Sequence, residues 1–174
     1  GSCCVPRAKF VIQTMNATIL ARGTRQDPIQ FLPESFTEEE LNPLDPQRPY
    51  GGIVLNGPSM IRSEFTYCEF HLADVGIEAM DNSVNINDCE FRYNRKGMII
   101  RATGAMPNNL VAPKIRQTIF DRNLVAFLVA GSANPDFGKP EDPGLNVFLL
   151  LDERPTRYDF EVDNYFRDGP FSAQ

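Results

Sequence analysis

The sequence predicts an all-β fold in which short strands stack into a solenoid, and three features of the chain carry this prediction. Residues 63–70, 84–91 and 113–120 align without a gap, and each of these segments ends in Phe. Six residues after each Phe comes a small residue, followed by an apolar one. The segments also have strand-like spacing of apolar residues. A period of about 20 to 30 residues with this spacing is typical of stacked coils.

The first coil is predicted within residues 9–31. Alternation of residue types at 10–13 indicates its first strand. Residues 29–31 align with residues 68–70 of the first clear repeat. The start of the chain, residues 1–8, is interpreted as a tag remnant, Gly1-Ser2, followed by an N-terminal arm.

Residues 32–50 interrupt the repeat and are interpreted as an insertion. They displace the small-plus-apolar pair of the first coil to Gly52-Ile53. Within the insertion, Thr37 stands three residues before Glu40, a capping-box pattern that predicts a short helix. Several prolines favour irregular structure in the rest of the insertion.

The central coils are predicted to point one regular set of side chains inward. The spacing between inward positions changes from two residues to three, which requires a bend between two short strands. Asn87 and Asp88 lie at one such bend, and both residue types tolerate tight backbone geometry. Gly76 and Gly97 mark a second corner, where a Cβ is often unwelcome. The inward residues are Phe65, Cys68 and Phe70, then Ile86, Cys89 and Phe91, then Ile115, Thr118 and Phe120.

Each strand is predicted to pair with its equivalent one coil away, because the corners prevent strands of the same coil from pairing. The result is a set of parallel sheets. Inward residues at equivalent positions then form ladders along the solenoid, and full burial of each apolar side chain stabilises by about 1.5–3 kcal/mol. Asn94 and Asn123 occupy equivalent corners and are predicted to form an internal ladder that hydrogen-bonds the turn backbone.

The repeat weakens after residue 130. Residues 131–144 are rich in Gly and Pro and are interpreted as a loop. Strands are predicted at 146–151 and 158–162, which would add one further coil and a C-terminal cap. The single domain is therefore predicted to cover residues 9–166, with residues 167–174 as a tail.

Composition excludes some partners. The chain has 17 basic and 23 acidic residues, a formal net charge of -6. Nucleic-acid binding requires clustered Lys and Arg, so no nucleic-acid partner is predicted. No apolar run approaches the roughly 18 residues that a membrane-spanning segment needs, so no membrane-spanning segment is predicted.

Cys68 and Cys89 occupy the same place in successive repeats. Two buried free thiols are the favoured interpretation, because side chains on stacked parallel strands hold their Cβ atoms somewhat too far apart for a disulfide. A disulfide is the alternative. A single His and the absence of zinc-ligand spacing argue against a transition-metal site.

These residues resemble the right-handed parallel β-helix repeat superfamily, which has the pectate-lyase-like fold. The resemblance covers residues 9–130 and extends towards 166. Residues 19–31 and 51–55 are similar to the entry coils of large surface-exposed β-helix proteins. The resemblance implies a right-handed parallel β-helix of about five to six coils, with a short helical or irregular insertion and a C-terminal cap.

Enzymes of this superfamily cleave acidic polysaccharides, and the resemblance directs attention to one polar face. Its hydrolases carry an Asn-Thr-Asp string, an Asp-Asp pair and a Gly-His-Gly string, none of which is present in this chain. Its lyases use an Arg near calcium-binding acids. The nearest candidates here are Asp88, Glu90 and Arg92, with Glu69 stacked beside Glu90. A calcium site is one interpretation; a solvated outer face is the favoured one.

A second candidate face is apolar. If Ile53, Ile77, Met98 and Phe127 point inward, then Val54, Glu78, Ile99 and Leu128 point outward in one row. Three of the four outward residues are apolar, and a row of exposed apolar groups usually has a cover. Either another segment of the chain covers it, or it is a partner or self-association surface.

The leading functional prediction is a non-catalytic extracellular or cell-surface module that serves as a scaffold, an adhesion domain or a protein- or glycan-binding domain of a larger protein. No catalytic residues and no cofactor are predicted. The alternative is a carbohydrate-active enzyme, a lyase or epimerase acting on acidic polysaccharide. One fold hosts many activities, so these predictions depend on the sites.

Overall fold

A computed structural model describes residues 10–15, 17–33, 50–57, 62–104, 112–149 and 158–163. The secondary structure in these ranges consists of β-strands and contains no helix. The predicted helix in the 32–50 insertion, the N-terminal arm and the C-terminal tail lie outside the described residues. The strands are β1 (Phe10–Met15), β2 (Leu20–Arg22), β3 (Ile29–Phe31), β4 (Tyr50–Asn56), β5 (Ser63–Thr66), β6 (Cys68–His71), β7 (Val75–Met80), β8 (Val84–Asn87), β9 (Glu90–Arg92), β10 (Lys96–Ala102), β11 (Lys114–Arg116), β12 (Ile119–Asp121), β13 (Val125–Gly131), β14 (Val147–Leu149) and β15 (Tyr158–Asp163).

The strands form three parallel sheets, as predicted. Sheet 1 has the order β1-β4-β7-β10-β13-β15, sheet 2 has β2-β5-β8-β11, and sheet 3 has β3-β6-β9-β12-β14. Up to β13 the chain visits sheets 1, 2 and 3 in rotation, and it then passes to β14 in sheet 3 and β15 in sheet 1. Neighbours within a sheet are therefore strands from successive circuits. This order is that of a β-solenoid.

The register confirms the predicted ladders. In sheet 2, Phe65 pairs with Ile86, which pairs in turn with Ile115. In sheet 3, Phe70 pairs with Phe91, and Phe91 pairs with Phe120. All six side chains are buried, because their positions on each strand face the interior that the three sheets share.

A column of phenylalanine rings runs through this interior along sheet 3. Successive rings are stacked nearly parallel, with centroids 4.6 to 5.0 Å apart. The distance follows the spacing of neighbouring strands, about 4.8 Å, because each coil adds one ring at the same position. The column contains Phe31, Phe70, Phe91, Phe120 and Phe148.

Residues with left-handed backbone conformation mark the corners. At the bend between sheets 2 and 3, Asp88 has φ 51°, as its predicted place at a tight bend requires. Tyr67 and Gln117 occupy the same corner in the neighbouring coils with φ 50° and 49°, although neither residue type favours this conformation. The hydrogen bond from Asp88 N to Arg116 O, 3.2 Å, shows that the corner is held by the coil beside it.

The chain after residue 130 is also described in part. The predicted strands at 146–151 and 158–162 are present as β14 in sheet 3 and β15 in sheet 1. Residues 131–144 form the predicted loop, which touches sheet 2 through a parallel bridge between Lys114 and Asp136. No described helix is long and apolar enough to span a membrane.

Candidate functional site

Two open grooves lie on the outer surface, on either side of the corner between sheets 2 and 3. The first, which we call the corner groove, has a volume of about 510 Å³. The second, the sheet-2 groove, has a volume of about 670 Å³. The corner groove is lined by Thr24, Arg25, Pro28, Tyr67, Cys68, Glu69, Asp88, Cys89, Glu90, Gln117 and Ile119. The sheet-2 groove is lined by Glu64, Thr66, Asn85, Ile86, Asn87, Lys114, Arg116, Gln117, Asp142, Pro143 and Leu145.

The corner groove brings together three of the four predicted polar residues. Glu69 and Glu90 are direct register partners on β6 and β9, and Asp88 lies at the corner just before β9. Arg92 does not line the groove. Its guanidinium bridges Glu90, with Nη2 2.6 Å from Oε1, and Asp121, with Nε 2.8 Å from Oδ2.

Burial and neighbouring charge act together on Glu90. Burial raises the pKa of its carboxyl, and the adjacent carboxylates of Glu69 and Asp121 raise it further, while Arg92 opposes them. Burial also lowers the pKa of His71, the register partner of Arg92. Glu69 accepts a hydrogen bond of 2.8 Å from Gln30 Nε2. The acids are therefore held in hydrogen bonds and ion pairs along the outer face of sheet 3.

The acids do not form a metal site in the part of the chain that the structure describes. Among those residues, no group of three or more His, Cys, Asp or Glu side chains is placed to hold a metal ion. Glu90 is instead paired with Arg92, and Asp88 Oδ2 accepts a hydrogen bond of 2.5 Å from Asn87 Nδ2. These contacts engage Glu90 and Asp88 within the protein.

Cys68 and Cys89 lie beneath the corner groove as free thiols, which confirms the favoured interpretation. Their exposed fractions are only 1% and 3%, so they belong to the core. Cys89 Sγ donates to Phe65 O at 3.4 Å and Asn87 O at 3.2 Å. Burial raises the pKa of the Cys89 thiol, which keeps it protonated and unreactive.

The predicted apolar row is in register across sheet 1. Val54 pairs with Glu78, Glu78 with Ile99, and Ile99 with Leu128. Val54 is half-buried, whereas Ile99 and Leu128 are 3% exposed. They form a second apolar cluster outside the main core, with Val125 and Ala130. Burial within one chain favours the alternative in which the chain covers this row itself.

The sheet-2 groove is a site that sequence analysis missed. Its floor consists of outward side chains at two columns of the register. One column runs from Glu64 through Asn85 to Lys114, and the other runs from Thr66 through Asn87 to Arg116. The alternation of polar and apolar residues in these strands was the available signal, but it does not distinguish a groove from an ordinary outer face.

Arg116 holds the wall of the sheet-2 groove in place. The Arg116 side chain is 8% exposed, and its Nη2 lies 2.9 Å from Oδ2 of both Asp136 and Asp142. Nη1 donates to Asp136 O at 2.8 Å. Lys114 Nζ lies 2.9 Å from the same Asp142 oxygen. Hydrogen bonds and charge from Arg116 and Lys114 hold the pKa of Asp142 well below its usual range.

An ion pair also closes the opposite end of the sheet-2 groove. Arg22 Nη2 lies 2.7 Å from Glu64 Oε2, and this contact lowers the pKa of Glu64. Between the two ends, the floor carries Thr66, Asn85 and Asn87, which are uncharged. The charges of the groove are thus matched in pairs at its ends, with neutral hydrogen-bonding groups in the middle.

Comparison with family models, with curated proteins and with solved structures yields no match to this chain. The class of protein is therefore defined by the fold and the grooves alone: an all-β protein of three parallel sheets with polar grooves on its outer faces. Membership of the pectate-lyase-like superfamily stays a prediction.

Proposed function

We propose that this chain is a right-handed parallel β-helix of five to six coils with a C-terminal cap, of the pectate-lyase-like type. The rotation of the chain through three parallel sheets supports the β-helix. Right-handedness follows from the strong preference of connections between parallel strands for that hand. The cap would protect the last open strand edge, which otherwise offers unpaired backbone groups to any neighbour.

We further propose that the domain is a non-catalytic extracellular or cell-surface module that serves as a scaffold or adhesion domain and binds a glycan or a protein. The single observation that supports this function is the sheet-2 groove, an open groove of about 670 Å³ lined largely by polar side chains. This volume lies in the range of ligand-binding sites. Its charges are neutralised in ion pairs, which suits binding better than proton transfer.

The alternative function is a lyase or epimerase acting on acidic polysaccharide. The paired carboxylates Glu69 and Glu90 favour it, because burial raises the pKa of Glu90 and so favours the protonated form that a general acid requires. Against it, Arg92 is engaged by both Glu90 and Asp121 and is not free to hold a substrate carboxylate.

One experiment separates the two functions. The purified domain is screened on a glycan array and is also incubated with acidic polysaccharides, with and without calcium. Ultraviolet absorbance then detects unsaturated products, and NMR of the polymer detects epimerisation. We expect saturable binding and no turnover. Turnover that disappears in Glu90→Gln would replace the binding function with the enzymatic one.

A further inference from the structure

We infer that the sheet-2 groove binds a neutral, hydroxyl-rich glycan, with Leu145 as an apolar contact at its rim. This inference rests on the proposed binding function and narrows it to one groove and one ligand class. Three observations support it: the charge balance of the groove, the chemistry of its floor, and the exposure of Leu145 at its rim.

The charge balance disfavours an acidic ligand. The two cations among the lining residues are both paired: Lys114 with the carboxylate of Asp142, and Arg116 with those of Asp136 and Asp142. Glu64 is likewise paired with Arg22. A polyanion would have to displace these carboxylates from the cations, and it would approach a chain whose net charge is -6. A neutral ligand meets neither obstacle.

The floor of the groove offers the groups that hydroxyls need. Side-chain amides carry both donors and acceptors, so they can bind neighbouring hydroxyls of a sugar ring in either direction. Asn85 Oδ1 accepts a long hydrogen bond of 3.4 Å from Arg62, and Thr66 Oγ1 donates to Glu64 at 3.4 Å. Long hydrogen bonds such as these are easily exchanged for shorter ones to a ligand. Gln117 is exposed at the boundary with the corner groove.

Leu145 presents an apolar side chain at the rim of the groove. It is 66% exposed and has φ 53°, a conformation that branched side chains disfavour. The stacking of coils imposes this conformation, because Leu145 occupies the same corner as Gln117 one coil earlier: Gly144 O accepts from Gln117 N, and Asn146 Oδ1 accepts from Thr118 N at 3.1 Å. The corner therefore holds the Leu145 side chain outward at the rim, where an exposed apolar group can contact a ligand. The C–H faces of sugar rings provide a matching apolar surface.

The test uses Leu145→Asn, because Asn tolerates the left-handed conformation better than Leu does. We expect this variant to have a higher Tm than the native domain and about tenfold weaker glycan binding, since the apolar contact is lost. A purely structural role for Leu145 would change stability but leave affinity unchanged. Asn85→Ala should weaken binding by about 2- to 10-fold through loss of hydrogen bonds.

The probes are cellohexaose and mannohexaose as neutral glycans, and hexagalacturonate as an acidic glycan of equal length. Affinity and location are both read from shifts of the side-chain amide signals of Asn85, Asn87 and Gln117 in NMR titrations. We expect at least one neutral probe to bind and to shift the Asn85 and Asn87 signals. The affinity for hexagalacturonate should be lower by a factor of about ten or more.

The outcomes distinguish this inference from the proposed function. Tighter binding of hexagalacturonate without turnover, or shifts confined to the backbone amide signals of Glu69 and Glu90 in the corner groove, would overturn the inference and leave the binding function standing. Binding of no probe would also overturn it, and the glycan array would then decide whether the domain binds glycans at all. Retained affinity in Leu145→Asn would remove Leu145 from the site.

Discussion

Asn94 shows how a single buried side chain joins neighbouring coils. Its Nδ2 donates to Phe70 O at 2.8 Å, and its Oδ1 accepts from Ala73 N at 2.8 Å. Asn123 repeats the arrangement one coil later by donating to Phe91 O at 2.8 Å and accepting from Asn94 N at 3.0 Å. The amide is suited to this place because it satisfies both a buried carbonyl and a buried N–H of the turn.

Replacing Asn94 with Ala should destabilise the fold. The substitution leaves Phe70 O and Ala73 N without the partners that Asn94 supplies, and each such buried group costs about 1–3 kcal/mol. We expect the free energy of unfolding, measured by urea denaturation, to fall by about 2–5 kcal/mol. Asn134→Ala, at an exposed position, is the matched control and should change it by less than about 0.5 kcal/mol. Equal effects at the two positions would contradict this account.

At the scale of elements, the segment 131–144 is docked onto the end of sheet 2. Ile115 N donates to Asp136 O at 3.0 Å, and Asp136 N donates to Pro113 O at 2.8 Å, so the segment continues the strand pairing of β11. Arg116 reinforces the contact through Asp136 and Asp142. The segment therefore covers the end of sheet 2 and builds one wall of the sheet-2 groove at the same time.

The docking of this segment should depend on pH. Arg116 lowers the pKa of Asp136 and, together with Lys114, that of Asp142 below the unfolded value of about 3.9. The stabilisation is therefore complete above that value and is lost as the pH falls through the folded-state pKa. Asp142→Asn should lower Tm near neutral pH. The difference in Tm between this variant and the native domain should shrink as the pH approaches about 2. Thermal unfolding followed across the pH range by circular dichroism measures this difference.

The control for the pH experiment is Asn134→Ala in the same segment, which introduces no titratable group and should shift Tm equally at every pH. If the difference in Tm between Asp142→Asn and the native domain stays constant from neutral to acidic pH, the Arg116 ion pairs do not stabilise this segment.

At the scale of the whole molecule, cohesion comes from two apolar clusters of different origin. The main core lies between the three sheets and contains the inward ladders. The second cluster lies on the outer side of sheet 1, where Ile99 and Leu128 are 3% exposed. Ile99 and Leu128 are buried although they stand at outward positions, so this cluster adds apolar burial on the outer side of sheet 1 to that of the main core.

Ile99→Asp distinguishes a covering layer within the chain from a self-association surface. If the chain covers Ile99, an unpaired charge is buried, and the free energy of unfolding should fall by more than about 3 kcal/mol while the molar mass stays the same. Chemical denaturation and light scattering measure the two quantities. Val147→Asp, at a position 42% exposed on sheet 3, is the control and should cost about 1 kcal/mol or less. A smaller mass with unchanged unfolding would instead identify a subunit interface.

Much of the architecture could be predicted because a solenoid repeats its local pattern along the chain. The alignment of Phe70, Phe91 and Phe120 predicted their parallel register, and the places of Cys68 and Cys89 predicted two buried thiols. The backbone conformations of the corner residues were harder to predict from the sequence. Asp88 could be placed at a bend from its residue type, whereas Tyr67 and Gln117 adopt the same φ only because the stacked coils require it.

The sequence by itself determined the layered stacking of coils, since apolar residues at a fixed period can be buried together only when equivalent strands lie side by side. The tertiary structure alone decided where the outer surface becomes a groove. That outcome depends on Arg116 meeting Asp136 and Asp142, which come from a loop without periodicity 20 and 26 residues further along the chain. Contacts of that kind arise from the folded path of the chain, because no repeat relates the residues that make them.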